Sequence, residues 1–128
     1  MGRLVAVVDD DVSVRESLES LIRSVGMQVK LFASAEEFLS AAHTGIADCL
    51  VLDVRLPGMS GLELHRHLLG QNCQLPAIFI TAHASDDHAR LEARSDWTVA
   101  YLTKPFGEDE FLDAVDAALK WKAKLRGN

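Results

Sequence analysis

Short unbroken apolar runs alternate along the chain with longer stretches in which apolar residues recur every three or four positions. Residues 4–8, 49–52 and 77–80 are continuous runs, the pattern of strands that are covered on both faces of a sheet. The helical spacing is clearest after the first run, at Val14, Leu18, Leu21, Ile22 and Val25. The alternation of the two patterns predicts strands that alternate with helices.

Five strands and five helices are predicted in this way. The strands are 4–8, 29–32, 49–54, 77–81 and 98–102. The helices span 14–25, 34–42, 62–69, 86–94 and 108–124. Ser34 and Glu37 have the spacing of a capping box at the start of the second helix, whereas the fourth helix has a thin apolar face. Strands joined by helical crossovers imply a parallel sheet with helices on both faces.

The composition is that of one globular domain. A chain of 128 residues, 48% hydrophobic and 25% charged, can bury one substantial core, and we assign residues 1–124 to the domain and 125–128 to a tail. The net charge of -6 argues against direct nucleic-acid binding. Cys49 and Cys73 have neither the number nor the spacing of a disulfide framework or a zinc site.

Hydropathy sets the expected location. No apolar run approaches the roughly 20 residues that a membrane span needs, and the N-terminus lacks the layout of a signal peptide. We therefore expect a cytoplasmic protein without membrane contact.

Acidic residues stand where the predicted strands end. The first strand runs into Asp9, Asp10 and Asp11, and the third ends at Asp53. The carboxyl ends of parallel strands share one edge of the sheet, where open α/β folds bind ligands. If these two strands are neighbours, their carboxylates repel one another unless a cation balances them, and paired aspartates with phosphate oxygens suit Mg2+. The alternative is helix capping, the role that we expect of Asp11.

Further polar groups follow the same edge. Asp53 precedes a Pro-Gly loop, so it either starts a turn or acts as a nucleophile toward phosphorus, which would give an aspartyl phosphate. Thr81 ends the fourth strand with a hydroxyl, and Lys104 follows the fifth with an ammonium, both of which can bind phosphoryl oxygens. Pro105 allows a cis bond that would direct the Lys104 side chain. Together these residues indicate phosphoryl transfer.

Four motifs, in order, resemble the receiver domain of bacterial two-component response regulators. They are Val7-Val8-Asp9-Asp10, Leu52-Asp53-Val54-Arg55-Leu56-Pro57-Gly58-Met59-Ser60-Gly61, Ile80-Thr81-Ala82 and Lys104-Pro105-Phe106. The resemblance covers nearly the whole chain. It implies a flavodoxin-like doubly wound α/β fold with a five-stranded parallel sheet of order 2-1-3-4-5 and five helices.

The resemblance also implies the chemistry of the acidic residues. Asp53 would accept a phosphoryl group from the phosphohistidine of a sensor histidine kinase, or from a phosphotransfer protein. Mg2+, for which Mn2+ can substitute, would be held by Asp10, Asp53 and the backbone carbonyl of Arg55, with Asp9 acting through water. The chain would be a signalling domain rather than an enzyme, with intrinsic autophosphorylation and autodephosphorylation.

The remaining motif residues would bind the phosphate and transmit its arrival. Thr81, the amide of Ala82 and Lys104 would contact phosphoryl oxygens. Thr81 would then move toward the phosphate while Tyr101 turns inward, which would alter the output surface formed by the fourth helix, fifth strand and fifth helix. The alternative for Tyr101 is a half-buried strand aromatic with a hydroxyl exposed to water.

Two places fit the resemblance less directly. The segment 94–98 stands where receivers commonly have a small-residue turn, and it is slightly long. We expect Trp97 to fill the core there, with partner binding as the alternative. His65 and His67 are two positions apart on a predicted helix, face different ways and are expected to be solvated rather than to bind a metal.

Other functions stay open at this point. An aspartyl phosphatase or phosphotransferase would need more chain for a cap, and a flavin-binding protein would need a Gly/Ser/Thr-rich phosphate loop after the first strand. A degenerate receiver would bind partners without phosphorylation, although every residue required for phosphorylation is present. A homodimer and a DNA-binding output domain outside this chain are also compatible with the sequence.

Overall fold

Five parallel strands form one sheet, and their order is the predicted 2-1-3-4-5. The structure is a computed structural model that describes residues 3–41, 47–82 and 93–126. The strands are β1 (Leu4–Val8), β2 (Gln28–Phe32), β3 (Cys49–Asp53), β4 (Ala77–Thr81) and β5 (Thr98–Thr103). Val8 lies opposite Leu52, so the carboxyl ends of β1 and β3 are side by side.

Four helices are present in these ranges. They are α1 (Val12–Ser24), α2 (Ala35–Ser40), α3 (Gly61–Gly70) and the C-terminal helix (Glu108–Arg126). The fourth predicted helix, at 86–94, lies outside the described residues except for positions 93 and 94, which are not helical. The C-terminal helix continues to Arg126, so the predicted start of the tail at residue 125 falls inside it. None of the helices in the described ranges is long and apolar enough to cross a membrane.

Side-chain caps start the helices around the site. Asp11 caps α1 as predicted, because its carboxylate accepts the backbone N–H groups of the first turn. Ser34 caps α2 and accepts the N–H of Glu37 at 3.0 Å. A capping box that the sequence analysis did not identify starts α3, where Ser60 and Glu63 accept each other's backbone N–H at 3.1 and 3.2 Å.

The sheet separates two apolar cores. Helices α2 and α3 cover one face through Phe38, Leu64 and Leu68, and α1 and the C-terminal helix cover the other through Leu18, Ile22, Phe111 and Val115. Every residue of β1, β3 and β4 is buried, whereas Leu102 is the one buried residue of β5. The carboxyl edge of the sheet is therefore formed by three fully buried strands, β1, β3 and β4, and by the half-buried outer strand β5.

The chain enters β5 through an irregular turn. Ala77 pairs with Thr98 but Ile78 pairs with Ala100, so Val99 is an extra residue in the strand. Trp97 is half-buried, between the two alternatives expected for it, and its carbonyl accepts the N–H of Ala77 at 2.8 Å.

The prediction for the histidines is wrong for His65. Its imidazole is 3% exposed, and Nε2 lies 3.0 Å from the carbonyl oxygen of Leu75. Burial lowers the pKa of His65, which favours the neutral ring. Its position on the inner face of α3, next to the buried Leu64, explains the difference, because that face packs on the sheet. His67 is exposed, as expected.

Candidate functional site

Three carboxylates converge at the carboxyl ends of β1 and β3. Asp9 and Asp10 follow β1, Asp53 ends β3, and one carboxylate oxygen from each residue lies within 4.8 Å of those of the other two. Asp9 is fully buried and Asp53 is 7% exposed, whereas Asp10 is exposed. The neighbouring register of the two strands produces this cluster, which presents hard oxygen ligands of the kind that Mg2+ prefers.

A lysine that follows the outer strand β5 reaches the same cluster. Lys104 follows β5, and its ammonium Nζ lies 3.1 Å from Oδ2 of Asp9 and 3.2 Å from Oδ2 of Asp53. The backbone N–H of Lys104 donates to the carbonyl of Thr81 at 2.7 Å, and the Lys104-Pro105 bond is cis. One cation thus bridges two carboxylates from different strands.

Asp9 is held on both its side chain and its backbone. Oδ1 accepts the N–H of Asp11 at 2.9 Å, which leaves Oδ2 for the lysine. The backbone carbonyl of Asp9 accepts a hydrogen bond of 2.6 Å from Nη1 of Arg15, and its N–H donates to the carbonyl of Phe32 at 3.1 Å. The buried carboxylate therefore has a defined position before any ligand arrives.

Asp53 is held in a comparable way. Oδ1 accepts the N–H of Arg55 at 2.9 Å. Behind the strand, Gly61 packs against the backbone: a Cβ at this position would lie 2.2 Å from the carbonyl oxygen of Asp53. The N–H of Gly61 also donates to the carbonyl of Val54 at 3.2 Å. Position 61 must therefore lack a side chain for the loop to pass so close to Asp53.

The surroundings shift the pKa values of the central pair. Burial raises the pKa of Asp53, and the charge of Asp9 raises it further, against the opposing effects of the Arg55 N–H and Lys104. Burial alone would lower the pKa of Lys104, but its hydrogen bonds and the charges of Asp9 and Asp53 raise it overall. A buried carboxyl group with a perturbed pKa beside a specific charge partner is a candidate functional group.

The predicted phosphate-binding and switch residues lie on β4 and β5. Thr81 ends β4 and is buried, and Ala82 follows it in an exposed position. Tyr101 is half-buried on β5, its ring centroid is 6.4 Å from that of Phe79, and its hydroxyl oxygen is buried. The structure therefore differs from the alternative in which this hydroxyl is exposed to water.

Three residues around the site have contacts that the sequence did not predict. Arg15 binds the carbonyl of Asp9, Gly61 makes room at Asp53, and Glu36 bonds to the loop that follows β3. The position of Gly61 in a Pro-Gly loop indicated a turn but not the close approach. Glu36 and its partner are 23 residues apart, a separation that leaves no local pattern.

Comparison with known proteins identifies the family. The family described as the response regulator receiver domain matches residues 5–116. Nodulation protein W of Bradyrhizobium diazoefficiens is 46% identical over 123 residues, covering 96% of this chain and 54% of that protein. Response regulator protein TodT of Pseudomonas putida is 42% identical over 125 residues, covering 98% of this chain and 55% of that protein.

Solved structures agree with the sequence relatives. The response regulator StyR superposes with a TM-score of 0.86 at 40% identity, covering 99% of this chain and 64% of that chain. FixJ-N superposes with a TM-score of 0.82 at 34% identity, covering 94% of this chain and 95% of that chain. The chain spans about half the length of the curated relatives. On the match to the family over residues 5–116, this chain belongs to the response regulator receiver domains of two-component systems.

Proposed function

We propose that the chain is a phosphorylation-dependent switch in which Asp53 accepts the phosphoryl group. The observation that carries this proposal is the Asp53 carboxylate, buried at a strand end between Asp9 and Asp10 and bonded to Lys104. Such a group combines a nucleophile fixed on rigid backbone with neighbouring charges of both signs. The receiver domain would extend over residues 1–124 and would have five helices, the fourth of them within the segment 86–94.

The donor set fits a divalent metal. Oxygen ligands gathered within 4.8 Å and partly open to solvent at Asp10 suit an ion that prefers oxygen and keeps several waters. Asp10, Asp53 and the backbone carbonyl of Arg55 would hold Mg2+, with Asp9 acting through water, and Mn2+ can substitute because it prefers similar ligands. The metal would neutralise charge on the phosphoryl oxygens during transfer.

The transfer is a displacement at phosphorus. A carboxylate oxygen of Asp53 attacks the phosphorus of a phosphohistidine, the new P–O bond forms as the P–N bond breaks, and the imidazole leaves with the electron pair and is protonated from solvent. Thr81, the amide of Ala82 and Lys104 bind the phosphoryl oxygens. In dephosphorylation, water attacks the phosphorus of the aspartyl phosphate and releases inorganic phosphate and the free carboxylate.

The phosphate biases a two-state surface. Lys104 exchanges a carboxylate partner for a phosphoryl oxygen, and Thr81 moves toward the phosphate while Tyr101 adjusts on β5. The altered surface comprises the segment 86–94, β5 and the C-terminal helix. The phosphoryl donor would be a sensor histidine kinase or a phosphotransfer protein in the cytoplasm, and the output would pass to a homodimer partner or to a DNA-binding domain outside this chain.

The test is intact mass after incubation with acetyl phosphate and Mg2+. We expect one phosphoryl adduct in the native chain, none in Asp53→Asn, and an unchanged adduct in the control Asp113→Asn, which alters an exposed aspartate on the C-terminal helix. Chelation of the metal should abolish the adduct. An adduct retained by Asp53→Asn would place the acceptor elsewhere, and a native chain that binds Mg2+ without forming an adduct would be a degenerate receiver.

A further inference from the structure

A glutamate on α2 is bonded to the loop that follows the proposed phosphoacceptor. Oε2 of Glu36 accepts the backbone N–H of Met59 at 2.9 Å. Met59 lies in the loop 55–60 between β3 and α3. The bond therefore joins a helix that carries none of the proposed site residues to the segment that carries Arg55.

The fit between the carboxylate and the loop is close. Gly58 has a φ of 75°, a left-handed conformation that favours glycine, and a Cβ there would lie 2.7 Å from Oε2 of Glu36. The missing side chain at position 58 leaves the space that the carboxylate occupies. The Met59 N–H also lowers the pKa of Glu36, because the hydrogen bond favours the ionised carboxylate.

The two ends of the loop are held by other contacts. At its start, the N–H of Arg55 donates to Oδ1 of Asp53 at 2.9 Å. At its end, Ser60 caps α3, and the adjacent Gly61 donates to the carbonyl of Val54 at 3.2 Å. The bond from Glu36 adds a further contact near the end of the loop, at Met59, directly before the cap residue Ser60.

We propose that Glu36 is a positioning residue that holds the loop 55–60, and with it the backbone of Arg55, in the arrangement that binds a divalent cation. The proposal rests on the proposed function for the role of the Arg55 carbonyl. Without the bond the loop populates additional arrangements, and the apparent affinity falls in proportion to the population that can bind. Loss of one net hydrogen bond, about 1 kcal/mol, therefore weakens the apparent affinity by at most about fivefold.

Glu37 offers a matched control. It is the next residue in the first turn of α2 and is also exposed, so removing either charge changes the interaction with the helix dipole to a similar extent. We would compare Glu36→Ala, Glu36→Gln and Glu37→Ala with the native chain. The two measurements are the exchange rate of the Met59 amide by NMR and the affinity for Mn2+ by electron paramagnetic resonance.

The expected result separates the variants. Glu36→Ala speeds exchange at Met59 and weakens Mn2+ binding measurably, by up to about fivefold. Glu36→Gln retains both properties to within about twofold, because its amide oxygen can accept the same hydrogen bond. Glu37→Ala behaves as the native chain. Rescue by glutamine would distinguish loop positioning from a general effect of charge.

Four outcomes would overturn the proposal. Three concern the variants: an unchanged Met59 exchange rate in Glu36→Ala, faster exchange with unchanged Mn2+ affinity, and equal weakening in Glu36→Ala and Glu37→Ala. The fourth is a native chain that fails to bind Mn2+. Both measurements are made without a phosphoryl donor, so failure of the native chain to become phosphorylated would count against the proposed function and leave this test intact.

Discussion

Strands β3 and β5 both lead into the site, but they are built differently. β3 is buried at all five positions and pairs with β1 and β4 in regular register. β5 lies at the edge of the sheet, has one buried residue among six and enters through a bulge at Val99. The first supplies the carboxylate of Asp53, and the second leads to the ammonium of Lys104. The carboxylate of Asp53 therefore ends a fully buried central strand, whereas the ammonium of Lys104 follows a half-buried edge strand.

The two charges also differ in what their surroundings favour. Burial raises the pKa of Asp53, so the site disfavours its ionised form, whereas neighbouring carboxylates raise the pKa of Lys104 and favour its ionised form. The end of β3 therefore carries an electrostatic cost that the residue after β5 reduces. Removing the charge at one end or the other should have opposite effects on stability.

The largest expected effect is that of Lys104→Met. Because the pKa of Lys104 is raised, its contribution to stability is complete at neutral pH and is lost only as the pH rises through the folded-state value. Leaving Asp9 and Asp53 buried without this partner should lower the free energy of unfolding by about 3 kcal/mol. Urea denaturation at pH 7 without divalent ions measures the change, and added Mg2+ should restore part of it.

Lys120→Met is the matched control. Lys120 pairs with Asp116 at 2.9 Å on the surface of the C-terminal helix, where both side chains are well exposed. Its loss should change stability by less than about 0.5 kcal/mol. Equal effects of the two lysine variants would show that the contact between Lys104 and the carboxylates contributes no more than a surface pair.

The next effect tests the rigidity assigned to the end of β3. Gly61→Ala places a Cβ 2.2 Å from the Asp53 carbonyl oxygen, so the backbone must shift, at a cost of about 2 kcal/mol. Gly70→Ala meets no atom within 4 Å and should be neutral or stabilising by about 0.5 kcal/mol. Thermal denaturation compares the stabilities of the two variants. A Gly61→Ala variant as stable as Gly70→Ala would mean that the backbone at the end of β3 shifts at little cost.

The smallest effect is that of Asp53→Asn, and its sign is opposite to that of Lys104→Met. The amide can still accept the Arg55 N–H but carries no buried charge, so Tm should rise at pH 7, where about 4 °C corresponds to about 1 kcal/mol. A carboxyl group with a raised pKa destabilises the fold above that pKa, and this penalty fades as the pH falls toward the ordinary carboxyl range.

The pH dependence provides the control for this variant. The difference in Tm between Asp53→Asn and the native chain should shrink as the pH falls from neutral through the raised pKa of Asp53 and the native carboxyl group becomes protonated. A Tm that falls in the variant at pH 7 would contradict an electrostatic cost at the end of β3.

The sequence predicts the strands that are continuous apolar runs and the polar residues at which those runs end. The apolar runs of β1, β3 and β4 are buried at every position, so their limits are clear, and the aspartates that end two of them meet because parallel strands share an edge. The motifs then placed the residues of the candidate site. The bulge at Val99 was suggested only as extra length in the preceding segment.

Side-chain contacts with the backbone of another element could not be predicted from the pattern of residues along the chain. Arg15 to Asp9, Glu36 to Met59 and His65 to Leu75 each depend on how two elements pack. His65 is predicted to be solvated because it and His67 are two positions apart, face different ways and form no metal motif, yet the helix turns His65 onto the sheet and a carbonyl accepts a hydrogen bond from its ring. Such pairings follow from tertiary geometry rather than from residue type or spacing.

The ammonium of Lys104 competes with cations from solution for the carboxylates of Asp9 and Asp53. An ion that arrives from solution meets carboxylates already shared with a tethered, singly charged group at 3.1 and 3.2 Å. Occupation is therefore an exchange, and its equilibrium favours an ion that carries two charges over one that carries one. The same tether gives the lysine a new partner at short range as soon as phosphoryl oxygens are present, so selectivity among ions and responsiveness to phosphate would share one side chain.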